Sequence, residues 1–210
     1  MNSDNTMNRE ALLAKARQGS RESLGALLES YRSYLRLLLR AQIAEHLQGR
    51  GSDSDVVQET VMEAYRDFRQ FRGRTEGELL AWLRRILVHN LARFIERNVT
   101  TQKRDVRREV SLERRLGRVE DSSAQLLSAL TNGRSSPTAH LRRRERAALL
   151  ADLLTRLPAH YREVIVLRDL EGLPFEQVAE RMQRSAAAAR QLYVRALDKL
   201  REVVEPEELS

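Results

Sequence analysis

The stretch from residue 157 to residue 200 constrains the fold most, because it contains three helical patterns separated by short breaks. Pro158 lacks an N–H group, which the first turn of a helix does not need, and apolar side chains follow it at helical spacing. Pro174 begins a short second helix in the same way. Ser185 can then cap a long final helix by accepting hydrogen bonds from its first N–H groups. A short helix, a tight turn and a capped helix predict a helix-turn-helix unit.

The second helix of such a unit fits the major groove of B-DNA and presents its N-terminal residues to base edges. Arg190 and Gln191 hold that position, where arginine can bond guanine and glutamine can bond adenine. The residues before them, 186–189, are all alanine and offer only methyl contacts. Three further residues are better placed for phosphate contacts: Arg184, Ser185 and Arg195. An ordinary three-helix packing unit with a solvated outer face has the same pattern, so DNA binding needs further support.

The composition fits a soluble protein, with 41% hydrophobic and 32% charged residues among 210. The chain has no run of about 20 apolar residues and no secretory signal pattern, so we expect a cytoplasmic location without membrane insertion. Cysteine is absent and the four histidines are scattered, so we expect neither metal nor cofactor. The sequence contains no phosphate-binding glycine loop and no nucleophile–base pair, which argues against an enzyme.

The charge distribution suggests a polyanionic partner, because the protein carries a net charge of +7. Basic residues exceed acidic ones by 3 over residues 1–98 (16 against 13) and by 6 over 99–146 (12 against 6). Over residues 147–210, acidic residues exceed basic ones by 2 (11 against 9). A slightly acidic helix-turn-helix binds duplex DNA weakly alone, because phosphate neutralisation supplies much of the affinity. We therefore expect it to act as one of several contacts.

A helix predicted over residues 55–68 has two contrasting faces. Five side chains are expected to face inward at helical spacing: Val57, Val61, Ala64, Tyr65 and Phe68. The other face is a polar strip around one methionine: Asp55, Gln58, Glu59, Met62 and Glu63. On pattern alone, such a strip is most simply a solvated face.

A basic loop punctuated by glycine, residues 71–77, precedes a second long helix over residues 78–98. Apolar side chains supply the buried side of this helix, and four arginines make the remainder strongly basic: Arg84, Arg85, Arg93 and Arg97. Trp82 is most simply a core residue. Because it stands beside basic residues and a basic loop, it could also stack on an unpaired base.

Three segments resemble bacterial RNA polymerase sigma factors of the extracytoplasmic-function class, in the sigma-70 family: DVVQET (55–60), AWLRRILVHN (81–90) and LPAHYREVIVLRDLEGLPFEQVAERM (157–182). The similarity extends over residues 10–98 and 141–203, in the order of the family. It implies an N-terminal domain that binds the clamp helices of core polymerase and captures the melted minus-ten element. It also implies a C-terminal helix-turn-helix that recognises the duplex minus-thirty-five element and touches the polymerase flap.

The resemblance also assigns roles to individual residues. It implies polymerase binding through Asp55, Gln58, Glu59 and Met62. It implies that the loop over residues 71–77 holds a flipped base and that minus-ten DNA is bound by Phe71, Arg72, Arg74, Trp82, Arg85, His89, Asn90 and Arg93. Minus-thirty-five binding is assigned to Arg184, Ser185, Arg190, Gln191 and Arg195. The implied partners are core RNA polymerase and promoter DNA, with an anti-sigma factor as a further candidate.

The predicted fold is all-α, with two small helical domains joined by a flexible linker, and the C-terminal domain contains the helix-turn-helix. The predicted boundaries are residues 1–98, a basic linker over 99–140, and residues 141–210. The linker is predicted from sparse apolar positions and mixed charge. Gln183 stands where the family usually has glycine, so we expect strain in that turn. Two other functions stay open, a stand-alone helix-turn-helix transcription regulator and an RNA-binding adaptor that uses the basic middle segment.

Overall fold

The computed structural model describes residues 2–43, 52–98, 106–131 and 143–204. No strand occurs within these ranges, so the all-α prediction is confirmed. The helices in chain order are α1 Asn2–Arg17, α2 Arg21–Glu29, α3 Arg32–Ile43, α4 Ser52–Asp67, α5 Glu76–Asn98, α6 Val106–Leu130, α7 Arg143–Thr155, α8 Ala159–Ile165, α9 Phe175–Arg181 and α10 Ala186–Val204. The chain divides into two compact units, Met1–Gly117 (unit 1) and Arg118–Ser210 (unit 2).

In unit 1, α3 and α5 supply much of an apolar core because both carry apolar side chains on more than one side. Tyr31, directly before α3, is fully buried, as are Tyr34 and several leucines of α3 and leucines of α5. Helix α4 packs against α3 and α5, and α1 packs against α2. This arrangement leaves one face of α4 and one face of α5 for contacts outside the core.

The inward face of α4 differs in part from the sequence prediction. Its buried residues are Val56, Val57, Thr60 and Ala64, and Phe68 follows in a 3₁₀ turn over Phe68–Gln70. The prediction that Tyr65 faces inward is wrong, because this residue is 41% exposed. At 100° per residue, Tyr65 lies about 110° round the helix from the centre of the buried face. A residue so far from the centre belongs to the outer surface.

Helix α6 corrects the flexible-linker prediction for residues 99–140 over the part that the structure describes. Residues 106–130 form a continuous helix. Its apolar residues are few, yet their spacing places them on one side, where they are buried: Leu112, Leu116, Val119, Leu127 and Leu130. Glu113 of α6 also pairs with the buried guanidinium of Arg84 in α5. Residues 99–105 and 132–142 lie outside the described residues.

In unit 2, charged residues join the C-terminal half of α6 to α7. The carboxylate of Glu120 is fully buried, 3.4 Å from Arg143 and 3.6 Å from Arg144. Arg143 also lies 2.9 Å from Asp121. A buried carboxylate requires such partners because its removal from water costs several kcal/mol. The segment predicted as a tether is therefore part of the folded structure in this range.

The helix-turn-helix prediction agrees with the structure. Helix α8 continues as a π-helical turn over Val166–Leu170. Helix α9 and helix α10 follow, and α10 packs against α8 and α9. The buried face of α10 consists of Ala189, Leu192, Ala196, Leu200 and Val204. Among the described helices, none is both long and apolar enough to cross a membrane.

Candidate nucleic-acid interface

The polar strip of α4 lies on the side opposite the buried face. Asp55 and Gln58 are exposed, and the side chain of Met62 is 62% exposed. Gln58 accepts a hydrogen bond from Arg32 of α3, and Glu59 lies 4.0 Å from Arg93 of α5. An exposed methionine on a polar face fits contact with another protein better than contact with water. We call Asp55, Gln58, Glu59 and Met62 the α4 strip.

Tyr65 extends the α4 strip, which the sequence interpretation missed. At 100° per residue, Asp55, Gln58, Met62 and Tyr65 fall within an arc of about 80°. The strip thus presents an aromatic ring and a methionine among polar groups. The one signal for this in the sequence was the position of Tyr65 at the border of the predicted apolar face.

Three aromatic rings form a cluster where the loop over residues 71–77 meets α5. The ring centroids of Phe71 and Trp82 are 5.4 Å apart, and those of Phe68 and Phe71 are 5.7 Å apart. The Trp82 ring meets Phe68 edge-on at 6.2 Å. Phe68 is buried, whereas Phe71 and Trp82 are partly exposed. Trp82 is therefore only partly a core residue. Its ring packs on Phe68 and Phe71, and part of it is exposed to solvent.

Gly73 is required for the close packing of this loop. A Cβ atom at Gly73 would lie 2.4 Å from Cζ of Phe71 and 2.8 Å from Cβ of Glu78. The Phe71 ring can rotate, but Cβ of Glu78 is fixed on the backbone of α5, so a larger residue would displace the loop. Arg17 of α1 donates a hydrogen bond to the carbonyl oxygen of Gly73 at 2.7 Å. The loop is therefore held on both sides.

A capping box fixes the start of α5 directly after the loop. The backbone N–H of Thr75 donates to Oε2 of Glu78 at 3.0 Å, and the N–H of Glu78 donates to Oγ1 of Thr75 at 3.3 Å. This reciprocal pattern satisfies N–H groups that the first helical turn leaves without partners. The N–H of Arg74 donates to the same carboxylate at 2.8 Å. The side chains of Arg72 and Arg74 remain exposed.

A buried polar network behind the loop was not anticipated from the sequence. Tyr31 donates a hydrogen bond to Oε1 of Glu76 at 2.9 Å, and Arg9 lies 3.7 Å from the same oxygen. Arg9 also donates to the backbone carbonyl of Ser30 at 2.8 Å, and its guanidinium lies 4.7 Å from the centre of the Tyr31 ring. Arg9 and Glu76 are only 5% and 8% exposed. This network connects α1 and the residues between α2 and α3 to the first turn of α5.

Helix α5 carries a continuous polar surface beyond the aromatic cluster. Four residues at spacings of three or four lie within an arc of about 80° on the helix surface. We call them the α5 stripe: Trp82, Arg85, His89 and Arg93. Arg85 is exposed, and the other three are partly exposed. Because two arginines and a histidine follow one another at intervals of about one turn beside an aromatic ring, the stripe has the composition of a single-strand binding surface.

Two polar residues of α5 do not belong to this stripe. Asn90 is fully buried, and its amide donates a hydrogen bond to Oγ1 of Thr60 in α4 at 3.4 Å. The predicted direct contact of Asn90 with DNA is therefore not supported by its position, and its side chain joins α4 to α5 instead. Arg84 is buried and paired with Glu113. It contributes to packing rather than to the basic surface.

The outer face of the helix-turn-helix gathers all five residues predicted there. Arg184, Ser185, Arg190, Gln191 and Arg195 are exposed. Oγ of Ser185 accepts a hydrogen bond from the N–H of Ala188 at 3.2 Å, which is the predicted cap. Gln183 has φ of 53°, so the turn places a residue with a side chain in the left-handed region that favours glycine. Val194, also exposed, adds an apolar side chain to this face.

Arg190 is held by residues at the start of α9. Its Nη2 atom lies 2.8 Å from Oε1 of Glu176. Its guanidinium carbon lies 5.5 Å from the centre of the Phe175 ring, within the range of a cation–π contact. Arg168 approaches the same ring at 4.8 Å, and the Tyr193 ring meets it edge-on at 5.5 Å. Arg190 therefore has a defined position before any ligand binds.

Asp169 and Tyr193 form a partly buried pair beneath this face. The phenol of Tyr193 donates a hydrogen bond to Oδ1 of Asp169 at 2.8 Å. Burial, and then the hydrogen bond to the carboxylate, raise the pKa of Tyr193 to about 12. Burial also raises the pKa of Asp169, against the opposing effect of that hydrogen bond. The pair joins the π-helical turn to α10 and so stabilises the position of the helix that carries Arg190.

Comparison with known proteins assigns both units. The model of the family "Sigma-70 region 2" matches residues 30–101, and that of "Sigma-70, region 4" matches residues 147–200. The ECF RNA polymerase sigma-E factor of Haemophilus influenzae is 27% identical over 94% of this chain and 95% of its own length. The proteins of the same name from Salmonella typhimurium and Escherichia coli are 24% identical over 94% of both chains. The chain belongs to the sigma-70 family, in its extracytoplasmic-function class.

As a sigma factor, the protein serves RNA polymerase in transcription initiation and binds promoter DNA. The region 2 match contains the α4 strip, the loop and the α5 stripe. The region 4 match contains the helix-turn-helix and the Asp169–Tyr193 pair. Because both halves of the chain are matched in the order of the family, a sigma factor explains the sequence better than a stand-alone regulator or an RNA-binding adaptor that uses the basic middle segment.

Proposed function

We propose that this sigma factor binds core polymerase through the α4 strip, holds the melted minus-ten strand with the loop and the α5 stripe, and recognises the minus-thirty-five duplex with α10. The observation that carries the proposal is the junction of Phe71 and Trp82 with the α5 stripe. Partly exposed rings stand there at the end of a row of cationic side chains. Single strands are bound by such a combination, because rings stack on bases while cations follow the backbone.

The α4 strip is the proposed contact with the clamp helices of the polymerase. Its carboxylate and amide groups are exposed around Met62, and Tyr65 adds an amphipathic ring. Interfaces are enriched in methionine and tyrosine, and tyrosine supplies contact area at low entropic cost. The contacts of Gln58 with Arg32 and of Glu59 with Arg93 lie at the surface, so partner groups can replace them at little cost.

The test for this contact is co-purification with core polymerase in the absence of DNA. Gln58→Ala combined with Glu59→Ala should reduce binding at least about tenfold, since one or two interfacial residues often contribute more than 1.4 kcal/mol. The matched control is Gln18→Ala with Glu22→Ala, which removes the same exposed side-chain types from another part of unit 1. Equal recovery of polymerase by both double variants would show that the α4 strip is not the interface.

The proposed single-strand site predicts a uniform effect of Arg85→Ala. Because Arg85 would contact the backbone rather than bases, its loss should reduce open-complex formation on all promoters by a similar factor. The salt dependence of that step should weaken by about one phosphate contact. Arg36→Ala, which removes an exposed arginine of α3, is the control. A loss confined to particular promoters would contradict backbone binding by Arg85.

The proposed role of unit 2 is recognition of duplex DNA within the polymerase complex. With an excess of acidic residues over 147–210, this unit should bind duplex poorly alone, because few phosphates can be neutralised. Arg190→Ala should relax promoter choice at one base pair of the upstream element by about 1–3 kcal/mol. Binding of duplex DNA by the free protein is measured by titration of labelled duplex at several salt concentrations. Tight, sequence-specific binding in that titration would instead favour a stand-alone regulator.

A further inference from the structure

We propose that Glu176 is a positioning residue that determines how strictly Arg190 discriminates between bases. Glu176 stands at the start of α9, and its carboxylate lies 2.8 Å from Nη2 of Arg190. The inference rests on the proposed role of Arg190 as a base-contacting residue. Glu176 itself needs no contact with DNA for this role.

The first argument concerns the orientation of the guanidinium group. An exposed arginine normally samples many rotamers, and ordering it costs entropy when it binds. Here Glu176 contacts one edge of the Arg190 guanidinium, while the Phe175 ring lies 5.5 Å from its carbon atom. The phenyl ring is itself fixed between Arg168 and Tyr193. Two contacts therefore restrict the plane of the group, and its remaining N–H groups can form a bidentate bond to guanine.

The second argument concerns the choice between a base and a phosphate. An unrestrained arginine near DNA gains most from the nearest phosphate, which carries no sequence information. A carboxylate beside Arg190 neutralises part of its charge and repels phosphate oxygens. The pair is well exposed, with side-chain exposures of 55% and 66%, so the restraint is weak enough to yield to a correct base. Glu176 thus lowers nonspecific attraction while it keeps the geometry for specific contact.

The chain offers a matched control on the same short helix. Glu180 lies one turn beyond Glu176 on α9 and is exposed. Glu176→Gln and Glu180→Gln remove the same charge from the same helix, so both should change the salt dependence of promoter binding similarly. Only the first removes the charged contact with Arg190. Glu176→Asp keeps the charge but shortens the side chain by one methylene, so it separates contact from charge.

The experiment uses polymerase reconstituted with the full-length protein and a promoter library randomised in the upstream element. Arg190→Ala should lose guanine preference at one base pair by about fivefold to hundredfold, which identifies the position. At that position, Glu176→Gln and Glu176→Asp should reduce the preference about twofold to fivefold, as expected for an exposed ion pair. Glu180→Gln should leave it unchanged. Glu176→Gln added to Arg190→Ala should have no further effect there, because the two residues act through one contact.

The outcomes separate this inference from the function on which it rests. If Arg190→Ala removes a base preference but neither Glu176 variant weakens it, the positioning role is overturned and the base contact stands. If Arg190→Ala changes no preference at any position, the base contact fails and the role of Glu176 falls with it. A Glu176→Gln effect spread equally over all positions, and matched by Glu180→Gln, would show a charge effect alone and would also overturn the inference.

Discussion

The loop of unit 1 and the Arg190 side chain of unit 2 are held in opposite ways. Glu76, at the start of α5, is buried with Arg9 and Tyr31 behind the loop. Arg190 is held by Glu176 at the surface, where both side chains are more than half exposed. A buried charge that loses its partner costs several kcal/mol, whereas an exposed pair contributes at most about 1 kcal/mol. The loop is thus fixed by groups that the fold requires, whereas the Arg190 side chain is held by a surface contact that can change at little cost to stability.

The difference suggests a division of tasks between the two surfaces. A site that holds any melted strand needs one fixed shape, because the backbone is the same at every promoter. A site that selects bases gains from an adjustable side chain whose position can alter without harm to the fold. The following predictions test whether stability and recognition separate in this way.

The largest expected effect comes from Glu76→Ala. This change removes the carboxylate that Arg9 and Tyr31 contact inside unit 1 and should lower the free energy of unfolding of that unit by about 3–5 kcal/mol. Trp82, the single tryptophan, lies in unit 1 and reports its unfolding by fluorescence in a denaturant titration. Glu176→Ala, followed by circular dichroism, should change stability by less than about 1 kcal/mol. Equal costs for the two variants would remove the contrast between buried and exposed support.

Gly73→Ala should have the next largest effect. The added methyl group would overlap Cβ of Glu78 and the Phe71 ring, so we expect a cost of about 1–3 kcal/mol and a displaced loop. The emission of Trp82 should change because Phe71 packs against it. Gly25→Ala in α2 is the control, since its Cβ would meet nothing within 4 Å, and it should stabilise by about 0.5–1 kcal/mol. An unaltered Trp82 spectrum in Gly73→Ala would mean that the loop accepts a larger residue.

Gln183→Gly should stabilise unit 2 by about 1 kcal/mol. Its φ of 53° lies in the left-handed region, where a side chain is unfavourable and glycine is not. The control, Gln177→Gly inside α9, should instead destabilise by about 1 kcal/mol, because glycine is a poor helix former. Thermal unfolding followed by circular dichroism measures both. Destabilisation by both substitutions would show that the turn tolerates Gln183 without strain.

The last expected effect is confined to alkaline pH and concerns unit 2. The pKa of Tyr193 is raised from 10.0 to about 12, so its neutral form is favoured in the folded state. Its contribution to stability is complete below pH 10 and is lost as the pH rises from 10 to about 12. The difference in absorbance titration between wild type and Tyr193→Phe isolates this group. A midpoint near 10 in that difference would contradict a phenol held by burial and by Asp169.

Local patterns predicted those features that depend on neighbours in the chain. The Ser185 cap joins groups within a few residues, and the left-handed turn at Gln183, which the family resemblance implied, lies directly before it. The exposed face of α10 likewise follows from helical periodicity. The assignment of Tyr65 failed because periodicity alone does not decide a residue at the border of two faces. Which border residues are covered depends on the neighbouring helices.

Helix α6 shows why sparse apolar residues were misleading. Its composition resembles a solvated tether, yet the spacing from Leu112 to Leu130 matches one helical face. Glu113 pairs with Arg84 of α5, and Glu120 pairs with Arg143 and Arg144 of α7, so the partners are distant in the sequence. A charged residue is expected at the surface until its partner is known, so these pairs were not visible in sequence.

The sequence by itself determined the helices other than α6, the helix-turn-helix and the two regions that identify a sigma factor, because periodicity, caps and motifs are local properties. The tertiary structure decided which polar residues reach the surface and which are buried in the fold. Asn90 and Arg84 lie one residue from stripe positions but turn inward to Thr60 and Glu113. Neighbouring residues on a helix differ by 100° in direction, so their roles are decided by what packs on each side. That information resides in long-range contacts rather than in any segment of the chain.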